Sequence, residues 1–265
     1  VYKDISLGES VLSGTLRFFG RGDFDGEPYS EQVLRRFLKS GILSADGLLN
    51  LYKNHKFEHT LVNQGFYIPQ GIEVEVANKE NNHLVCWDVS YRKRCITMSH
   101  SNTYYRTLVD TSIDEWNKQE WNSDLEDEVT QYLRGRWTGA YDWMKFNESG
   151  AEQAPEDLIK ELGLDPRKPI IGLLTNVVWD AQVYYPGNAF PNMLDWLMKT
   201  VKHFALRDDI QLLIRVHPAE LKCWQKSRQF AEDEIKEAFP QLPKNVFIIP
   251  PQSPINTYKA MMACD

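Results

Sequence analysis

Three stretches of this chain carry side chains able to hold an anion or move a proton, and each closes an aliphatic run. The first reads Ile210-Gln-Leu-Leu-Ile-Arg-Val-His-Pro-Ala-Glu220. Leu212 to Val216 has the composition of a strand buried on both faces. His217-Pro218 ends it, because proline has no N–H for a sheet ladder and restricts the residue before it. Arg215, His217 and Glu220 are therefore expected at the carboxyl end of a parallel strand, where open α/β sheets hold their ligands. The run Ile170 to Leu174 ends in the same way at Thr175-Asn176, and Asn245 to Ile249 is followed by Gln252, Ser253 and Asn256. A histidine donates to a phosphate oxygen, more strongly when protonated. A carboxylate such as Glu220 accepts from ribose hydroxyls. Ser253 and Asn256 open a helix, whose first N–H groups attract anions, although for either residue alone simple capping is the commoner role.

Proton transfer needs a different set of groups. His100, Asp88 and Asp180 each fall at or near the end of an expected strand. His100 ranks first, because an unperturbed imidazole exchanges protons near neutrality. A hydrogen-bonded loop role fits it equally well, Asp88 suits a turn cap, and Asp180 suits an ion pair. Tyr67, Tyr104, Tyr105 and Trp179 could stack on a sugar or a base, but core packing is the commoner use of any one of them. Arg92-Lys93-Arg94 would suit an anionic acceptor, where the default for such a run is a solvated face.

The elements that must position these residues alternate. After a short helix, Ser10 to Phe19, and a Gly-rich turn, Gly20 to Gly26, a long helical tract carries apolar residues from Val33 to Tyr52, with Gly41 and Gly47 as points of division. Strand His59–Val62, a helix to about Asn78 and strand Leu84–Asp88 form a βαβ unit, with Cys95–Ser99 as a third strand. The Trp- and acid-rich tract Asp110–Asn147, holding a helix from Ser123 to Arg134, is expected to wrap the first domain. Glu148 to Pro155 reads as a linker. Beyond it, helix 155–162, strand 170–174, helix 192–205, strand 212–216, helix 226–238, strand 245–249 and a last helix predict a doubly wound parallel sheet. The fold class expected is α/β, each domain a parallel sheet flanked by helices and incomplete, with domains at 1–150 and 151–265.

Bulk properties bound the alternatives. The chain has 265 residues, and its net charge of −7 provides no global basic field for nucleic acid. No apolar run reaches the roughly 20 residues that cross a bilayer. The four cysteines are scattered without metal-like spacing, which suits a reducing compartment and unpaired thiols. The chain opens at Val1 without an initiator Met, and its last helix should feed another strand, so the sequence reads as the middle of a longer protein.

Gly172-Leu-Leu-Thr-Asn-Val-Val-Trp-Asp180, Phe190 to Trp196, Arg215-Val-His-Pro-Ala-Glu220 and Ile249-Pro-Pro-Gln-Ser-Pro-Ile-Asn-Thr-Tyr258 resemble the capsule polysaccharide biosynthesis glycosyltransferases. Tyr67 to Gly71, Ser90 to Lys93 and Ser99 to Tyr104 are similar to the matching earlier region of the same proteins. The resemblance implies a GT-B architecture of two Rossmann-like domains, with a nucleotide-sugar donor (CMP- or UDP-linked) on the second and the acceptor mainly on the first. It also implies that His217-Pro218 contacts the donor phosphate, with no cofactor and no metal. Its first strands would precede Val1, and its Gly-Ser diphosphate loop would follow Asp265. The implied activity is hexosyl or Kdo transfer to a growing surface polysaccharide or its lipid-linked acceptor. The implied place is the cytoplasm, with association at the inner membrane or with a capsule-assembly complex. A nucleotide-sugar 2-epimerase and a non-catalytic sugar-nucleotide-binding scaffold compete with this reading. An oxidoreductase is disfavoured, since no GxGxxG follows any visible strand.

Overall fold

A computed structural model of the chain describes residues 1–146, 154–181 and 188–265. The chain divides into two compact units. The first holds Val1–Phe18, Asp23–Gln131 and Ala181, and the second Phe19–Gly22, Tyr132–Asp180 as far as it is described, and Asn188–Asp265. The linker expected at 148–155 falls largely outside the described residues, as does the middle of the loop 177–191.

In the first unit, α1 (Gly8–Phe19) and α2 (Ser30–Asn54) precede β1 (His59–Asn63), α3 (Gln70–Lys79), β2 (His83–Val89) and β3 (Ile96–His100). Helix α2 runs unbroken through Gly41 and Gly47. Gly41 is buried there, and a Cβ on it would meet the side chains of Ile68 and Val11 at 3.5 Å. Helix α3 is apolar on opposite sides because it is a middle layer. Val74 and Ala77 pack with Val62, Leu84 and Cys86 of the sheet, while Ile72 and Val76 pack with Ile5, Val11 and Ala45 of the helical layer. Burial there raises the Glu73 and Glu75 carboxyls above their ordinary range. On the other face of the sheet, Leu61, Val89, Ile96 and Met98 are exposed. Helices α4 (Tyr104–Asp110), α5 (Ile113–Asn117) and α6 (Ser123–Thr138) come next, and the unit boundary falls within α6.

Strands β1 and β2 are parallel and joined through α3, as the βαβ pattern predicts. Strand β3 runs antiparallel to β2, so the first sheet is mixed and not the all-parallel sheet expected. The six residues from Ser90 to Cys95 are the reason, since a parallel return needs a crossover of a dozen or more.

The second unit is an α/β layer structure. After α7 (Pro155–Leu162) come β4 (Ile170–Leu174), α8 (Met193–Phe204), β5 (Gln211–Arg215), α9 (Ala219–Lys222), α10 (Ala231–Ala238), β6 (Val246–Ile249) and α11 (Thr257–Met262). Asn192 caps α8 by accepting from the Asp195 N–H, and Gly163 ends α7 in the left-handed conformation. The strands are parallel in the order β4-β5-β6. Leu197, Val201 and Phe204 of α8 and Ala231 and Ile235 of α10 cover one sheet face through Leu173, Leu212, Ile214 and Val246. Leu158 of α7 and Ala260 of α11 cover the other through Ile170, Leu213 and Ile249. Among the described strands the order does not reverse. The doubly wound expectation is therefore met in its layers but not in its switch of direction.

Candidate functional site

Hydrogen bonding continues past the end of β5 and holds the His-Pro turn in place. Thr175 N–H donates to the Arg215 carbonyl (3.2 Å) and Val216 N–H to the Ile249 carbonyl (3.0 Å). His217 N–H donates to Thr175 Oγ1 at 2.9 Å. The turn is thus tied to both neighbouring strand ends. Thr175→Val should remove the buried acceptor and cost about 1 kcal/mol, read from denaturant midpoints. An unchanged midpoint would mean that this tie carries nothing.

The His217 ring is half-buried and held from two sides. Its Nδ1 accepts from the Ala219 N–H at 3.0 Å, and the Phe146 ring meets it edge-on at 5.0 Å. Burial drives its pKa down to about 4, helped by the Arg215 charge and opposed by Asp180. The imidazole is therefore neutral at neutral pH, with its proton on Nε2. The ring thus offers a neutral N–H, and the protonated form considered from sequence is disfavoured. Neither Phe146 nor the Ala219 N–H was legible as a partner, because an aromatic after the second-unit boundary and a backbone group leave no motif.

Thr175 and three more residues expected on the rim lie inside. Arg215 is 3 % exposed. Its Nη1 donates to the Val216 carbonyl (3.0 Å) and the Pro250 carbonyl (2.6 Å), and Nη2 reaches the Ser253 carbonyl at 3.5 Å. Burial lowers its pKa to about 10, so it stays charged and pins the loop after β6. Glu220 is 1 % exposed. Its Oε1 accepts from Ala231 N–H, at the start of α10, at 3.1 Å. Burial raises the carboxyl to about 7, against that hydrogen bond. No Glu220 oxygen faces outward for a ribose, so its observed work is to tie α9 to α10. Asn256 is buried and caps α11, its Oδ1 accepting from Tyr258 N–H at 2.8 Å.

Asn176 is exposed, with Oδ1 turned back to the Val177 N–H at 2.8 Å. Ser253 is half-buried and its Oγ accepts from Ile255 N–H at 3.2 Å, a loop role separate from the helix cap. Asp180 is half-buried beside Trp179, whose indole N–H donates to Ser227 Oγ at 3.0 Å. The carboxyl edge of this sheet therefore presents His217, Asn176 and Ser253 on a frame made by Thr175, Arg215, Glu220 and Asn256.

The other two proton-transfer candidates belong to the first unit and do not meet. Asp88, buried near the carboxyl end of β2, accepts from the Val89 N–H at 2.7 Å and lies 3.5 Å from Gln64 Nε2. His100 is exposed and pairs in register with Val85. The reversed direction of β3 carries it toward the amino end of β2, three residues or about 10 Å along the strand from Asp88. His100 thus sits at the edge opposite to the one expected for it.

Among the described residues, no group of three or more His, Cys, Asp or Glu side chains is placed to hold a metal ion, and no helix is long and apolar enough to cross a membrane. Comparison of the chain with family models, with curated proteins and with solved structures gives no match.

Proposed function

We propose that the chain is a glycosyltransferase of the GT-B kind, built on two Rossmann-like domains. It would move a sugar from a nucleotide-sugar donor to a growing surface polysaccharide or its lipid-linked acceptor. The observation that carries this reading is His217. Its Nδ1 is occupied and its ring neutral, which leaves Nε2–H as the donor at the carboxyl end of β5. A neutral donor beside the permanent charge of Arg215 suits an oxygen that gains negative charge, because the buried cation holds the potential positive at any working pH. The bond from anomeric carbon to phosphate oxygen breaks as the acceptor oxygen bonds to that carbon. The acceptor proton passes to a base, for which Asp180 and Asp88 are the proposed groups, while His100, at the other edge of its sheet, is set aside.

Calorimetric titration of CMP and UDP into the protein tests the donor site. His217→Ala should weaken binding of the preferred nucleotide about tenfold, the worth of one good hydrogen bond to an anion. Circular dichroism should stay unchanged, since a half-buried ring at a loop supports little packing. Equal binding by the variant, or none by the parent protein, would sink the reading.

A further inference from the structure

The first unit carries a groove of about 360 Å³ that the donor site does not use. Thr97 and Met98 of β3 form one side, at the edge of the three-stranded sheet. Tyr104 and Thr107 of α4, Thr111 after it, Glu115 and Trp116 of α5 and Gln119 beyond that helix form the other. We infer that this groove binds an uncharged sugar residue of a glycan.

The chemistry of the lining carries the inference. Trp116 is 53 % exposed and Met98 55 %, so an aromatic face and a thioether stand in solvent where burial would have stabilised them. Polar groups surround them at short range. The hydroxyls of Thr107 and Thr111 donate to carbonyls of their own helix, Thr107 to Tyr104 (3.2 Å) and Thr111 to Thr107 (2.7 Å), which leaves their oxygens able to accept. Glu115 and Gln119 add an acceptor and an amide from exposed positions. A sugar ring matches this combination, since its C–H face stacks on an indole while its hydroxyls both donate and accept. Among the described residues the lining has no Lys, Arg or His, and its one charge is the carboxylate of Glu115, so a phosphate or a sialic-type acid is disfavoured. A purely aliphatic ligand would strip water from the polar side chains of the lining without replacing its hydrogen bonds.

The groove would bind sugar whether or not the protein transfers one. That the glycan is the acceptor rests on the proposed transferase reading. The test is therefore titration of the full chain with maltotriose, N,N′-diacetylchitobiose and lactose, followed by saturation-transfer NMR and calorimetry. At least one should bind saturably, in the millimolar range usual for a shallow site. Trp116→Ala should weaken that binding about tenfold and Trp116→Phe much less, and His217→Ala should leave it unchanged. Sugar binding by the parent protein without any nucleotide binding would overturn the donor site alone. Three outcomes would overturn the groove: no saturable binding of any of the three sugars, equal binding by Trp116→Ala, or loss of sugar binding in His217→Ala. Strand-wise pairing of an extended peptide along β3 in place of sugar would overturn it as well.

Discussion

Glu220→Gln should uncover a rise of stability between about pH 4 and 6.5 that Glu220 itself offsets in the parent protein. Two neighbouring groups oppose one another in the parent protein. Glu220 is lifted from 4.5 to about 7, chiefly by burial, so the folded state holds its proton more tightly than the unfolded chain does. Its contribution is fully present below 4.5 and is lost as pH rises to about 7. His217 is pushed from 6.5 to about 4, again chiefly by burial, so the folded state favours its neutral ring. Its contribution is present above 6.5 and is lost as pH falls toward 4. The windows nearly coincide and the signs are opposite, each on the order of 3 kcal/mol. Glu220→Gln keeps an acceptor for Ala231 N–H and removes the first effect, which uncovers the second. His217→Ala should uncover the first, as a fall in stability from about 4.5 to 7. Urea midpoints for the three proteins across this range decide the matter, and parallel profiles would show that neither group titrates as its burial requires.

Gly65→Ala should strongly destabilise the first unit. Gly65 has φ of +85° in the turn after β1, a region where a side chain costs about 1–2 kcal/mol. A Cβ there would also lie 2.8 Å from Val74 Cγ2, 3.0 Å from Thr103 Cγ2 and 3.2 Å from Cys86 Sγ. These neighbours are buried side chains of α3, the start of α4 and β2, so the crowding adds about 1–3 kcal/mol. Gly163→Ala is the control, with φ of +72° and nothing within 4 Å of the added carbon. It should cost only the backbone part. Equal costs in chemical denaturation would mean that the side chains around Gly65 yield freely.

Legibility differed by kind of information. Strand and helix existence came from periodicity and breakers. Residues 155–162 and 170–174 are the helix and strand expected, and Asn256 caps as its residue type suggested. Direction was a different matter. The apolar pattern of β3 is the same whichever way the strand runs, and only the short connection at Ser90–Cys95 carries that signal. Burial of charge was hidden too. Arg215 and Glu220 stand in a sequence context that suits a rim, yet one lies on a sheet face under α11's entry loop and the other beneath α10. Position along a strand sets which face a side chain takes, but not whether a later helix will cover it. The proline at 218 gave the end of β5 correctly, while the ring's tautomer depended on a backbone N–H that folding alone supplies.

The two sheets differ in how long their ends keep their places. Strand β5 is buried along its whole length, with a partner on each side and helices over both faces, so its amides exchange with solvent only when the second unit opens as a whole. Strand β3 has one partner and an open face, so it can fray while the rest of its unit stays shut. Of the groups put forward here, His217 is therefore carried on the slowest-opening segment and His100 on one of the quickest. A ligand that touches the first meets a preset geometry, and one that touches the second must also bear the entropy of holding that strand still.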